Sequence, residues 1–116
     1  MQALMNSVRL IGNVGTEPEL REISEGKKIA KIRLATNERI RTKDGALSEM
    51  TQWHNLVAWD SLADVMVKHV AKGSKVAIEG RLNHQVYTDN DGQRRERTEV
   101  VVSGFLMIDG KKPEIA

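Results

Sequence analysis

Apolar residues recur at every second position before residue 60 and at every third or fourth position after it. This change constrains the fold more than any other feature of the sequence. In TQWHNLVAW, residues 51–59, side chains alternate between two faces as they do along a β-strand. In SLADVMVKHVAKG, residues 61–73, the apolar residues from Leu62 to Val70 follow the i, i+3, i+4, i+8 spacing of an amphipathic helix. The chain therefore joins a strand directly to a helix that ends near Gly73.

The other regular segments alternate as strands, and turn residues separate them. They read SVRLIGNVG, KIAKIRLAT, SKVAIEGRLNHQVYT and RRERTEVVVSGFLMI, with a shorter extended piece in LREIS and a hairpin turn in DNDGQ. Gly80 predicts a bulge or sharp bend. The order is three strands, one helix and two strands. It predicts an all-β chain with one helix, namely an OB-fold five-stranded antiparallel barrel with the helix between strands 3 and 4. Such barrels commonly bind oligonucleotides or oligosaccharides.

The length of 116 residues indicates one domain, which we assign to residues 1–108, followed by a short disordered end at residues 109–116. The chain has 18 basic and 16 acidic residues, so a nucleic-acid function would depend on where the charges lie. It contains no cysteine, which excludes disulfide and thiolate chemistry and fits the reducing cytoplasm. No apolar run is long enough to predict a membrane span.

Sites for catalysis or cofactors are not indicated. His54, His69 and His84 are far apart and lack partners at metal-ligand spacing, so we expect structural roles for them and no metal or cofactor. The carboxylates are scattered through turns and the helix, whereas an OB-fold nuclease would cluster them. We therefore predict that the chain is not an enzyme.

The remaining signal combines aromatic and basic residues. Trp53 and Trp59 are six residues apart, so they share one face of their strand. Basic groups flank that strand in the chain: Lys31, Arg33, Arg39, Arg41, Lys43, Lys72, Lys75, Arg94, Arg95 and Arg97. Rings that stack on bases and cations that follow phosphates suit single-stranded nucleic acid. The pattern alone leaves the burial of the tryptophans open, and the usual packing of apolar residues favours burial of at least one.

Several segments resemble the bacterial single-stranded DNA-binding protein family of the tetrameric OB-fold type. They are VRLIGNVGTEPELR, IAKIRLATNE, TQWHNLVAWDSLADV, KGSKVAIEGRL, YTDNDGQ and TEVVV, which run collinearly over residues 5–108. The resemblance implies that Trp53, Trp59 and Tyr87 are exposed stacking platforms.

The sequence also departs from that family. Ile40 stands at a fourth stacking position, where an aliphatic side chain packs on a base without a π-face. Asn55 and Val86 stand where relatives commonly carry basic residues, and we expect Asn55 to contact DNA. The flexible tail with an acidic tip, through which relatives recruit proteins, is expected to be absent from this chain.

The resemblance implies largely sequence-independent binding of single-stranded DNA during replication, recombination and repair, by a cytoplasmic homotetramer, with a dimer as the alternative assembly. We expect subunit contacts at Val8 and Leu10, whose strand carries a single charge and a poorly protected edge, and at His54. The alternative is a tailless primosomal relative that acts in replication restart. A protein-interaction domain that has kept only the fold would differ from both, because oligonucleotide would not quench its tryptophans.

Overall fold

The computed structural model describes residues 2–108, so the end predicted at residues 109–116 lies outside the described residues. The elements in chain order are α1 Gln2–Met5, β1 Val8–Val14, β2 Glu19–Ser24, β3 Lys27–Arg41, β4 Leu47–Trp59, α2 Asp60–His69, β5 Lys75–Thr88 and β6 Arg94–Met107. Two of them were not predicted as elements of their own: the single-turn α1, and β2, which forms from the LREIS segment. Neither helix among these residues is long and apolar enough to cross a membrane.

Five strands close into a barrel, which confirms the predicted fold. The sheet order is β1-β5-β6-β4-β3-β2, and β1 also pairs with β3 through Asn13 and Val14, which closes the ring. Helix α2 lies between the third and fourth barrel strands, as predicted. Strand β2 lies outside the ring as an edge strand on β3. The pairings are antiparallel except between β4 and β6, which meet in parallel at Leu56 and Val57.

The barrel core follows from alternation, because the inward side of each strand carries branched aliphatic residues. Ile32, Leu34, Leu56 and Val76 are fully buried there. Complete burial of one such side chain contributes roughly 1.5–3 kcal/mol relative to leaving it in water. These strands therefore hold the barrel whose outer face bears the candidate site.

Helix α2 packs on this core through Ala63 and Met66, both fully buried. Val65 belongs to the predicted apolar stripe but is exposed. The helix ends at His69 with Val70 in an extended conformation, earlier than the predicted end at Gly73, which instead lies in the turn before β5 with φ +91. The direct junction between β4 and α2 puts Trp59 at the helix N-terminus.

The predicted irregularity at Gly80 is a β-bulge. Glu79 pairs with Gly104 and Gly80 with Val102, so Ser103 is the extra residue of β6. A side chain at Gly80 would overlap the backbone carbonyl of Val101, so the close approach requires glycine. Beyond the bulge, β5 and β6 continue to the predicted hairpin turn.

Two two-stranded ribbons extend past the barrel. We call residues 36–52 the β3–β4 arm and residues 82–98 the β5–β6 arm, and each consists of the outer ends of two paired strands. Residues 37–52 are exposed throughout. A ribbon of this kind has no core of its own, so it offers both faces to a partner.

Candidate nucleic-acid interface

One face of the β3–β4 pair carries the tryptophans together with basic side chains. Trp53 is opposite Ala35 and Asn55 is opposite Arg33. The next pair on the same face is Lys31 of β3 with Val57 of β4. Because faces alternate along both strands, these side chains point the same way. The structure thus brings the predicted residues Lys31, Arg33, Trp53 and Asn55 together, and we call this surface the tryptophan face.

The candidate stacking rings are exposed. Trp53 is 51% exposed, Trp59 is 40% exposed and Tyr87 is 45% exposed. The resemblance to the DNA-binding family implied this exposure, whereas the preference for tryptophan burial drawn from the residue pattern alone is wrong. Val57, which lies between the tryptophans along the same face, is only 2% exposed.

Trp59 is positioned by the junction between β4 and α2. It pairs with Ile29 of β3 and precedes Asp60, whose φ of 54 is in the left-handed region. Asp tolerates that conformation better than most residues. The Asp60 Oδ1 atom accepts a hydrogen bond from the backbone N–H of Lys28 at 3.2 Å, so the turn that carries Trp59 is tied to the start of β3.

Trp53 is in contact with the end of β1. Its six-membered ring lies against Gly15, where a methyl group would overlap the ring. The Gly15 N–H donates to the carbonyl oxygen of Arg33 at 2.8 Å, and the Arg33 guanidinium carbon lies over the indole, 4.8 Å from the ring centroid. The indole therefore has a defined orientation although half of it is exposed.

Tyr87 has a similar arrangement on the β5–β6 arm. The guanidinium carbon of Arg97 lies 5.6 Å from the Tyr87 ring centroid. The Nη2 atom of Arg97 donates to Gln85 Oε1 at 2.9 Å, and the Nε atom of Arg97 lies 3.8 Å from the Glu99 carboxylate. Glu99 is only 7% exposed, so it forms a fixed negative group beside Arg97.

A groove of about 340 Å³ connects these two arrangements. The charged residues that line it are three cations, Lys31, Arg33 and Arg97, and three anions, Glu17, Glu19 and Glu99. Asn55, Thr16, Ile32, Leu56 and Val57 complete the lining. The groove therefore connects the tryptophan face to β6, with equal numbers of cations and anions along it.

Other predicted DNA contacts lie farther out. Arg39 and Arg41 are on the β3–β4 arm, on the same side as Trp53 by alternation, opposite Glu49 and Leu47. Lys43 is in the turn at the tip of that arm. These cations extend the tryptophan face away from the barrel.

Ile40 is not brought to the tryptophan face. It is opposite Ser48, and it alternates with Arg39 and Arg41, so it lies on the reverse side of the arm. Its side chain is 38% exposed there. The arm is regularly paired throughout, so position 40 falls on the face opposite to Trp53.

The remaining basic candidates are dispersed. Lys75 begins β5 opposite Asn13, on the outer side of the β1–β5 pair, and Lys72 lies in the preceding turn, where its N–H donates to Glu17 Oε1 at 3.2 Å. Lys72 therefore contacts a groove residue through its backbone only, and neither Lys72 nor Lys75 lines the groove. Arg94 alternates with Arg95 and lies on the reverse side of the β5–β6 arm from Tyr87.

Asp89 organises the tip of the β5–β6 arm. Its Oδ2 accepts from Arg95 Nε at 2.8 Å, and its Oδ1 accepts from the N–H groups of Gln93 and Asp91 at 2.9 and 3.0 Å. These bonds, with that from Arg95 the most important, hold the pKa of Asp89 below its usual range. Arg95 therefore supports the hairpin in this structure.

The three residues predicted as subunit contacts are partly buried within the chain. Val8 and Leu10 pack against the barrel core, so their side chains point inward. His54 Nε2 lies 2.9 Å from Thr36 Oγ1 at the base of the β3–β4 arm. Among residues 2–108, β1 pairs with β3 only at Asn13 and Val14. The backbone groups on that edge of β1 are therefore available for contact with another subunit along residues 8–12.

Sequence reasoning missed the residues that support the rings. Gly15 follows a predicted strand, and a glycine at a strand end also marks close approach of another group. Gln85, Glu99 and the acidic side chains of the groove gave no local signal. Within residues 2–108, no group of three or more His, Asp or Glu side chains is suitable for a metal ion.

Known proteins resemble the chain in sequence over most of its length. Residues 5–108 match the model of the single-strand binding protein family. The single-stranded DNA-binding protein 1 of Chlorobaculum tepidum is 40% identical over 108 residues, which cover 92% of this chain and 67% of that protein. The single-stranded DNA-binding protein of Rhizobium meliloti is 41% identical over 120 residues, 98% of this chain and 69% of that protein.

Solved structures resemble it as well. The Plasmodium falciparum SSB in complex with ssDNA superposes with a TM-score of 0.83 at 32% identity, covering 90% of this chain and 95% of that one. A deletion mutant of the single-stranded DNA-binding protein from Thermus aquaticus gives a TM-score of 0.80 at 24% identity over 91% of this chain and 51% of that one, which supports the fold. From the family match and the identity to its relatives, we conclude that the chain belongs to the single-strand binding protein family.

Proposed function

We propose that the chain binds single-stranded DNA, largely independently of sequence and without catalysing a reaction. The observation that carries the proposal is that two exposed rings, Trp53 and Tyr87, are each joined through an arginine to one groove. The names of the relatives and the ssDNA in the Plasmodium falciparum complex support the same function.

The geometry suits a flexible strand better than a duplex. Bases that are free of pairing stack on the rings, at about 1–3 kcal/mol per base, while Lys31, Arg33 and the arm arginines follow the phosphates. Every base has a π-face, so stacking discriminates little between sequences. We propose that this activity serves replication, recombination and repair in the cytoplasm, where exposed strands need protection.

We also propose that the chain assembles as a homotetramer built from dimers. Within the described residues 2–108, the edge of β1 away from β5 has no strand partner along residues 8–12, and it offers backbone groups to the same strand of a second copy. On the outer side of this sheet, Ile11 is 59% exposed and Leu106 is 67% exposed, and both are aligned with Ala77 of β5. An apolar row of this kind favours packing of one sheet against another.

The test of DNA binding is a titration with poly-dT while tryptophan fluorescence is recorded at several salt concentrations. Single strands give a log–log slope of about −0.7 per neutralised phosphate, so roughly five contacts would give about −3.5. Quenching by poly-dT with a steep salt dependence, and much weaker binding of duplex, is the expected result. Equal affinity for duplex, or a flat salt response, would overturn the proposal.

A further inference from the structure

Two arginine side chains that line the groove also lie over exposed aromatic rings. Arg33 lies over Trp53 at 4.8 Å from the centroid, and Arg97 lies over Tyr87 at 5.6 Å. These distances are within the range of a cation–π contact, which is worth most over an indole. In the DNA-free protein, part of each stacking surface is thus already occupied by a guanidinium.

The same two arginines line one groove. Arg33 is on β3 and Arg97 is on β6, so the barrel brings together two cations that are 64 residues apart in the chain. Because the arginine stem is long and flexible, a guanidinium that leaves its ring remains close to the groove that its residue already lines. The groove is also where Lys31 is placed.

We propose that Arg33 and Arg97 are exchangeable covers of the stacking rings. An incoming base displaces the guanidinium from the ring, and the freed guanidinium binds the phosphate that follows that base across the groove. Arg33 and Arg97 would thereby be positioning residues in the free protein and phosphate ligands in the complex. This inference rests on the proposed binding of single-stranded DNA.

Arg33 and Arg97 differ in how many other groups hold the guanidinium over its ring. Arg97 also donates to Gln85 at 2.9 Å and lies 3.8 Å from the nearly buried Glu99 carboxylate. An ion pair next to a buried carboxylate is expensive to break, because it leaves that charge without its partner. A base should therefore displace the guanidinium of Arg33 more readily than that of Arg97, and the decisive experiment uses Arg33.

The first measurement uses the protein without DNA. In a Trp59→Phe background, Trp53 is the single tryptophan, and its quenching by the neutral molecule acrylamide reports how far the indole is covered. Arg33→Ala should increase that quenching and shift the emission to the red. Arg33→Thr, which introduces a β-branched residue that favours the strand conformation, should do the same if Arg33→Ala folds poorly.

The matched control is Arg41→Ala, which removes the same charge from the same face of β3 at the exposed arm. It should leave acrylamide quenching unchanged. If acrylamide quenches Arg33→Ala no more than the parent protein, the Arg33 guanidinium does not shield the Trp53 indole. That result overturns the proposal independently of any DNA-binding measurement.

The second measurement is poly-dT affinity as a function of salt. At low salt, Arg33→Ala should bind more weakly, and its slope should be shallower by about 0.7, the value for one phosphate contact. At high salt the phosphate contact is screened and the base has no guanidinium to displace. The variant should then bind about two- to fivefold more tightly than the parent, which is the worth of one exposed cation–π contact.

The crossing of the two salt curves distinguishes exchange from a permanent contact. Arg41→Ala should shift the slope without producing a crossing. If Arg33→Ala is weaker at every salt concentration, the guanidinium stays on the ring and supports the stack, which overturns the exchange. If the unmodified protein does not bind poly-dT, the proposed function fails, and that result is read before any variant is compared.

Discussion

The six-membered ring of Trp53 in β4 lies against Gly15, the residue that follows β1, although the two residues are 38 positions apart. Gly15 directly follows the end of β1, where β1 pairs with β3, and its N–H donates to the Arg33 carbonyl oxygen. The barrel closure therefore fixes the orientation of a ring whose outer half is exposed. Single-residue changes at position 15 should act on the ring rather than on the core.

Gly15→Ala should displace the indole and weaken poly-dT binding. The new methyl group would overlap the ring, so the ring must shift from its present orientation. We expect a loss of up to about 1–3 kcal/mol, the value of one stacked base, measured by fluorescence titration. Gly104→Ala is the control, because a methyl group there meets no neighbouring atom within 4 Å. Equal affinity of both variants and the parent would contradict this role of Gly15.

The two tryptophans should respond differently to replacement by alanine. Trp53→Ala should cost about 1–3 kcal/mol of DNA binding and leave the melting temperature nearly unchanged, because half of the side chain is exposed. Trp59→Ala should lower both, because Trp59 connects β4 to α2 and is less exposed. Thermal unfolding and titration on the same samples test this. If Trp53→Ala unfolds the protein, Trp53 is a core residue and the stacking interpretation fails.

The apolar row on the outer side of β1, β5 and β6 should determine the assembly. The chain has a mass of 13.0 kDa, and light scattering at micromolar concentration should give a multiple of that mass. Ile11→Asp combined with Leu106→Asp should reduce the mass, because charges would be buried between two sheets. Val65→Asp, at an exposed position of α2, is the control. A mass of 13.0 kDa for the unmodified chain would refute assembly.

The tip of the β5–β6 arm should loosen in acid. Arg95 and the backbone amide of Gln93 hold the pKa of Asp89 below its usual range, so the carboxylate stabilises the folded hairpin at pH values above the unfolded pKa of about 3.9. That contribution is lost as the pH falls through the lower folded pKa. The amide resonances of Gly92 and Gln93 should shift with a midpoint below about 3.9.

Asp89→Asn supplies the comparison for that titration, because the amide cannot lose a proton in this range. The acid-dependent shift of the two amides should disappear in this variant. A midpoint at the usual carboxyl value in the unmodified protein would show that the bonds to Asp89 do not persist in solution.

Local patterns in the sequence determined the elements and their order. The period of two in residues 51–59 and the helical period after Ser61 depend on neighbours a few positions away, so they predicted β4 and α2 and, with the flanking strands, the barrel. The shared face of Trp53 and Trp59 follows from alternation within a single strand. Gly80 likewise indicated a bulge through its own lack of a side chain.

The tertiary structure alone decided what lies next to the rings. Closure of the barrel brings Arg97 of β6 to the groove beside Arg33, and brings Gly15 to Trp53, through contacts between residues that are dozens of positions apart. The pairing register puts Ile40 on the reverse face of its arm, because a shift of one residue reverses every side chain of a strand. Alternation shows which residues share a face of one strand, but only the packed sheet determines which faces meet.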